Sequence, residues 1–124
     1  MNQLPCTAIV FRALARKNWL DKQTNRIMPA AFMLRTQEQG LSVDIASPRS
    51  CHATLRECFG VASLFVGRIR DLGMGLDVVV DEAPHANVVG LPRQTEDRTL
   101  SERIASQLAR QARLVPRDKY LDPL

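Results

Sequence analysis

The sequence predicts a small α+β domain, in which a mixed or antiparallel sheet of about five strands carries two main helices. Short apolar and β-branched runs recur along the chain, and their length and composition are typical of strands. Two longer stretches carry helix start signals or a helical apolar period instead. Strands and helices mix without strict alternation, which favours α+β over a doubly wound sheet. All 124 residues fit one domain, with residues 116–124 predicted as a C-terminal tail.

Five segments are predicted to form the sheet. They are Thr7–Leu14, Leu41–Ile45, Val61–Val66, Asp77–Asp81 and His85–Gly90. Pro84 and Pro92 limit pairing at the two ends of the last strand, because proline has no N–H to donate. Between the first two strands, Ala15–Arg26 predicts a short helical turn followed by a loop. Pro29–Arg35 is compatible with a strand or a helix.

The first predicted helix begins at Ser47, a preferred N-cap residue, with Pro48 in the first helical position. It is expected to continue to about Phe59 and to end at Gly60. Gly67–Leu72 is predicted as a basic connection that leads into a turn at residues 73–75.

The second predicted helix has the clearest pattern in the chain. Thr99 and Glu102 have the spacing of a capping box. Four apolar residues fall on one face, namely Leu100, Ile104, Leu108 and Ala112. Pro116 is expected to end this helix.

The chain is moderately basic. Lys and Arg number 17 against 13 Asp and Glu, which gives a net charge of +4 and permits an anionic partner. The basic residues form two loose groups, within residues 12–26 and 103–119, and a phosphate backbone could contact both if the fold joined them. Aromatic residues make up 5% of the chain, so single-strand recognition by stacking has little support.

The three cysteines and the apolar segments predict a cytoplasmic protein without a membrane anchor. The apolar run Cys6–Phe11 is too short for a signal sequence or a membrane span, and Arg12 ends it. An odd number of cysteines without a secretory signal fits a reducing compartment.

Cys51, His52 and Cys58 are potential metal ligands that lie close together in sequence. The two cysteines are seven residues apart and would share one helix face, where thiols pack as small apolar groups. Structural zinc sites use tight Cys-x-x-Cys pairs instead. No glycine loop for phosphates is present either, so no metal and no cofactor are predicted.

His85 and Ser42 are the candidate catalytic residues. His85 lies where a strand begins, and a histidine can exchange protons near neutral pH. Ser42 is separated from Gly40 by Leu41 and could present its hydroxyl to a ligand. The Gly-x-Ser-x-Gly pattern of a nucleophile elbow is absent. Ser42, Asp44, Asp81 and Glu82 are possible partners for His85 by residue type alone.

Arg12 and Asn87 are the candidate ligand-binding residues. Arg12 directly follows an apolar run, so its guanidinium could lie at a strand end and bind phosphate or carboxylate. Asn87 shares its segment with His85. The alternative for Arg12 is a strand end that has emerged into solvent, and the alternative for His85 is a surface or capping histidine.

Four short motifs resemble those of uncharacterised small bacterial proteins. They are Phe11-Arg12-Ala13-Leu14, Ala31-Phe32, Gly40-Leu41-Ser42-Val43 and His85-Ala86-Asn87-Val88. The resemblance implies a self-contained bacterial domain and no established activity. An Arg-ended first strand followed by a Ser-containing strand is also similar to ADP-ribosyltransferase-like toxins, whose histidine–tyrosine or glutamate patterns are absent here.

Two classes of function follow from the sequence. The first is an interaction or regulatory module that binds a protein or an anionic partner. The second is a small nucleotide- or nucleic-acid-directed enzyme with one cleft formed by Arg12, Ser42 and His85. The module is preferred, because a working active site usually gathers more polar residues than this chain does. The enzyme requires that these three side chains share a pocket.

Overall fold

The computed structural model describes residues 3–35 and 37–121, and it confirms the α+β class. Its main sheet has six antiparallel strands in the order β6–β7–β4–β1–β5–β8, and β2 and β3 form a separate hairpin. The strands are β1 Ile9–Ala13, β2 Leu20–Asp21, β3 Arg26–Ile27, β4 Leu41–Asp44, β5 Val61–Phe65, β6 Asp77–Val80, β7 His85–Val89 and β8 Arg113–Leu114. The sheet exceeds the expected five strands because β8 pairs with the edge of β5.

The helices in this part of the chain are α1 Pro48–Ala53, α2 Val66–Asp71 and α3 Arg98–Gln111. The long helix α3 packs against a 3₁₀ turn at Pro29–Phe32, and both cover one face of the sheet. None of the helices in the described ranges is long and apolar enough to cross a bilayer.

The main core lies between α3 and the covered face of the sheet. Val10, Leu41 and Val88 alternate inward from their strands, and they meet Ile104 and Leu108 of α3. The opposite face is covered at one end by α1, where a smaller buried cluster forms, made of Cys51, Val61, Val115 and Tyr120. The sheet therefore has two covered regions, and α1 lies beside the strand ends that form the cleft described below.

Helix α1 ends at Ala53, six residues before the predicted end. Its start is as expected, since Ser47 Oγ accepts the backbone N–H of Ser50 at 3.0 Å. At its end, Thr54 Oγ1 and Thr54 N–H both donate to the carbonyl of Cys51. That carbonyl would have to accept from Leu55 if the helix continued, so the last turn tightens and the helix stops.

Three further predictions are corrected by the structure. The predicted connection at residues 67–72 lies mostly within α2, which packs against the core through the buried side chains of Val66 and Ile69. The N-cap of α3 is Asp97, not Thr99, because Asp97 Oδ1 accepts the N–H of Leu100 at 3.0 Å. The predicted loop after the helical turn at residues 17–19 contains the β2–β3 hairpin.

The predicted C-terminal tail is packed against the domain as far as it is described. Val115 donates its N–H to the carbonyl of Val61, and residues 117–119 form a 3₁₀ turn. Tyr120 is buried, and its ring centroid lies 5.0 Å from that of His52 on α1. Residues 122–124 of the predicted tail lie outside the described residues.

Candidate functional site

A cleft of about 450 Å³ lies where strands β1 and β4 separate. The two strands are matched at Phe11 and Asp44, whereas β1 and β5 are matched at five consecutive positions. The walls of this β1–β4 cleft come from several segments: Arg12, Ala13 and Ala15 from β1 and just after it, Ser42 to Asp44 of β4, Trp19, Arg35 and Glu38, Cys51 of α1 with Thr54 and Leu55 beyond its end, and Pro84 and His85. The cleft therefore brings together residues that are distant in sequence: Arg12 and His85 are 73 positions apart.

Arg12 reaches this cleft from the core face of the sheet. Its Nε donates to the carbonyl of Ala31 at 2.6 Å, and its Nη1 donates to the carbonyl of Ser42 at 2.8 Å. The bond to Ser42 replaces a backbone hydrogen bond that strand pairing would supply on the side of β4 that faces β1. The side chain is buried, with the residue 6% exposed, so the guanidinium is held in a fixed position.

Burial changes the electrostatics of Arg12 but leaves it charged. Desolvation lowers the pKa of Arg12 to about 10, and Glu38 partly opposes this change. A pKa of about 10 keeps the guanidinium protonated at neutral pH. Of its five N–H donors, two are used by carbonyls, and the guanidinium forms no ion pair with any described residue. A buried positive charge with spare donors thus lines the cleft.

Trp19 provides an aromatic wall of the cleft close to two guanidinium groups. The Cζ atom of Arg12 lies 5.1 Å from the ring centroid, and that of Arg35 lies 5.7 Å from it. Both distances are within the range of a cation–π interaction. The indole is mostly buried, at 6% exposure, and it belongs to the last residue of the 3₁₀ turn Lys17–Trp19, which brings it to the cleft.

The two carboxylates in the cleft already have donors. Glu38 Oε1 accepts the backbone N–H of Arg35 at 3.0 Å and lies 3.9 Å from the Nε of the same residue. Asp44 is buried and accepts from the N–H groups of Ala46 and Ser47 and from Ser50 Oγ at 2.6 Å. Asp44 therefore fixes the start of α1 and is not a partner of His85, although the two residues are matched across β4 and β7.

His85 is oriented by Asp81, which is its neighbour across the β6–β7 turn. Its Nδ1 lies 2.7 Å and 2.8 Å from the two carboxylate oxygens of Asp81. This bond, with one from the backbone N–H of Glu82, holds the pKa of Asp81 below its ordinary value. Since Nδ1 faces the carboxylate, Nε2 is the ring nitrogen that remains for a ligand in the cleft.

Ser42 lies on the same sheet face as His85, and both residues line the cleft. Ser42 is exposed, and its hydroxyl has no hydrogen bond to another residue in the described ranges. Asn87 is matched with Ser42 across the strands but does not line the cleft. Its Nδ2 donates to Asp81 at 3.0 Å, and the residue borders an adjoining depression with Ser42.

Arg12, Ser42 and His85 thus line one cleft, which the enzyme hypothesis requires, while Asn87 supports Asp81 from outside it. Sequence reasoning missed Trp19 and Arg35 as site residues, and it named Asp81 only as one of four possible partners. The single tryptophan, placed in a basic segment, was the one available signal for the aromatic wall.

Within the described residues, no group of three or more His, Cys, Asp or Glu side chains could hold a metal ion. Cys51 lines the cleft as a buried thiol, and desolvation raises its pKa to about 12, so it is protonated at neutral pH. The chemistry available in the cleft is therefore that of guanidinium, imidazole, hydroxyl and indole groups. No protein-family model, curated protein or solved structure matches this chain.

Proposed function

We propose that this protein is a binding module for a small anionic ligand, which is held in the β1–β4 cleft. The observation that carries the proposal is the charge of Arg12, which is buried at the cleft wall and has no ion pair within the described chain. Glu38 acts on this charge without forming an ion pair with it, so the buried cation is incompletely neutralised, and an anion that accepts from its spare donors relieves the cost of its burial.

The other walls define the chemical class of the ligand. A volume of about 450 Å³ is within the range of sites for small molecules. Trp19 offers a planar apolar surface, and Arg35 supplies a second guanidinium near the same ring. These features favour a compound with a phosphate or carboxylate group joined to a planar apolar part. The carboxylates of Glu38 and Asp44 already accept hydrogen bonds, so they compete little for the donors of Arg12.

Isothermal titration calorimetry with inorganic phosphate, pyrophosphate and AMP tests this function. We expect saturable binding of AMP at sub-millimolar concentration and weaker binding of inorganic phosphate, because phosphate lacks a planar part. The variant Arg35→Gln should weaken AMP binding by about tenfold, the effect of losing one charge-assisted hydrogen bond.

The matched control is Arg98→Gln, which removes the same charge from the exposed Arg98–Glu102 pair on α3. This variant should bind AMP like the wild type. The proposal is contradicted if none of the three anions binds at millimolar concentration, or if both variants lose affinity equally.

A nucleotide- or nucleic-acid-directed enzyme is the second candidate, and the Asp81–His85 contact favours it. A carboxylate on Nδ1 orients an imidazole so that Nε2 can act as a general base. Ser42 or a water molecule would be the nucleophile in the same cleft. ATP or single-stranded RNA is incubated with the protein and then analysed by chromatography. The wild type should convert the substrate to a product, and His85→Ala should leave it intact. Intact substrates with the wild type would exclude this candidate.

A further inference from the structure

Unpaired positive charge is concentrated in two segments of this chain. Residues 16–27 and 113–119 contain seven basic and two acidic residues, a net charge of +5 against +4 for the whole protein. All seven basic side chains are exposed, namely Arg16, Lys17, Lys22, Arg26, Arg113, Arg117 and Lys119. None of these seven forms an ion pair with a described residue. The other exposed arginines without an ion pair among the described residues are dispersed after α1, on α2 and on α3, namely Arg56, Arg68, Arg103 and Arg110, whereas Arg35, Arg70, Arg93 and Arg98 each lie beside a carboxylate.

The fold brings the two segments together at one edge of the molecule. Strand β3 of the hairpin contacts β8, the edge strand of the main sheet. Leu20 of the hairpin and Leu114 of β8 both lie next to Gly60, since a Cβ placed there would meet their δ-carbons at 3.7 Å and 3.3 Å. Arg117 follows β8 after two residues. We call the surface formed by residues 16–27 and 113–119 the basic edge.

The acidic residues of the basic edge do not neutralise it. The carboxylate of Asp21 accepts the backbone N–H of Gln23 at 3.0 Å and stabilises the hairpin turn. Asp118 lies in the first turn of the 3₁₀ segment between Arg117 and Lys119. Like charges on neighbouring elements repel one another, so this edge gains most from a partner with many regularly spaced negative charges.

We propose that the basic edge binds the phosphate backbone of a nucleic-acid duplex without sequence preference. Phosphates repeated along a duplex can neutralise several arginine and lysine side chains at once, and the release of counterions drives such binding. The two aromatic residues of this region, Trp19 and Tyr120, are each 6% exposed. Trp19 lines the β1–β4 cleft and Tyr120 packs against His52, so neither ring is presented on the basic edge to successive unpaired bases, which favours a duplex over a single strand.

Fluorescence anisotropy with a labelled duplex of about 20 base pairs tests the proposal, at salt from about 50 mM to about 200 mM. The wild type should bind at about micromolar concentration at the lower salt and lose affinity steeply as salt rises. The triple variant Lys22→Gln, Arg26→Gln, Arg113→Gln should bind at least about tenfold more weakly, with a salt slope reduced by about 2.7 if each residue contacts one phosphate.

The control is the triple variant Arg98→Gln, Arg103→Gln, Arg110→Gln, which removes the same charge from exposed positions of α3. It should lose clearly less affinity than the basic-edge variant, and circular dichroism should show that both are folded. Equal losses in the two variants, or no duplex binding at the lower salt, would overturn the proposal. So would tighter binding of a single strand of the same length, or binding of phosphatidylserine vesicles in place of the duplex.

Discussion

Arg12 joins two segments of backbone that are distant in sequence. Its guanidinium donates to the carbonyls of Ala31 and Ser42, so it connects the 3₁₀ turn beneath α3 with strand β4. Because β1 and β4 separate at this point, the bond to Ser42 substitutes for part of the ladder between them, and the bond to Ala31 anchors the 3₁₀ turn. Arg12 is therefore a structural residue of the sheet, and its charge is at the same time the main electrostatic feature of the cleft.

The variant Arg12→Ala should lower the free energy of unfolding by about 2–4 kcal/mol, because two buried carbonyls lose charged donors. Urea unfolding monitored by circular dichroism measures this change. Arg110→Ala, at an exposed position on α3, is the control and should change stability by no more than about 0.5 kcal/mol. A similar small effect at Arg12 would show that the two hydrogen bonds contribute little.

The Asp81–His85 contact has a consequence that depends on pH. The folded pKa of Asp81 lies below its ordinary value, chiefly because of the hydrogen bond from His85. Its ionised form therefore stabilises the fold above its unfolded pKa of about 3.9, and this contribution disappears as pH falls through the lower folded pKa.

The variant His85→Ala should raise the pKa of Asp81 towards its ordinary value. Carbon-13 NMR titration of the side-chain carboxyl groups measures it directly. Asp77 is the internal control, since its pKa is held down by Arg70 and not by His85. An unchanged pKa of Asp81 in this variant would contradict the contact seen in the structure.

At the level of elements, the sequence predicts the existence of strands better than the ends of helices. The five predicted strands are all present, because alternating or apolar β-branched runs reflect burial on a sheet. Helix ends depend on single hydrogen bonds. Thr54 closes α1 by donating to Cys51, and Asp97 rather than Thr99 caps α3, although Thr99 has the better capping-box spacing. The sequence does not predict helix α2, because a segment of six residues is too short to show a helical period.

The two possible caps of α3 can be distinguished by mutation. Asp97→Ala should lower the free energy of unfolding by about 1 kcal/mol, the usual cost of losing an N-cap. Thr99→Ala should cost less than about 0.5 kcal/mol, because Thr99 is an exposed residue after the cap. Urea unfolding of both variants measures the difference. The opposite ranking would mean that Thr99 is the cap.

At the level of the whole molecule, the cleft depends on the assembly of segments from most of the chain. Arg12, Ser42 and His85 could be named from the sequence because polar residues at strand ends stand out from their apolar neighbours. Trp19 and Arg35 could not, since their positions follow from the hairpin and from the 3₁₀ turn at residues 29–32, neither of which has a strong period. The sequence therefore predicted Arg12, Ser42 and His85 as cleft residues, but not the aromatic wall that lies beside the guanidinium groups.

The central claim is that the β1–β4 cleft is the site of an anionic ligand, and Trp19 reports on it directly. The chain has one tryptophan, and that residue lines the cleft with its ring centroid 5.1 Å and 5.7 Å from the guanidinium carbons of Arg12 and Arg35. Titration with AMP under selective excitation of tryptophan should change the emission saturably, with the same Kd as calorimetry gives. Binding that is detected by heat but leaves the emission of Trp19 unchanged, or the absence of both signals, would contradict this account.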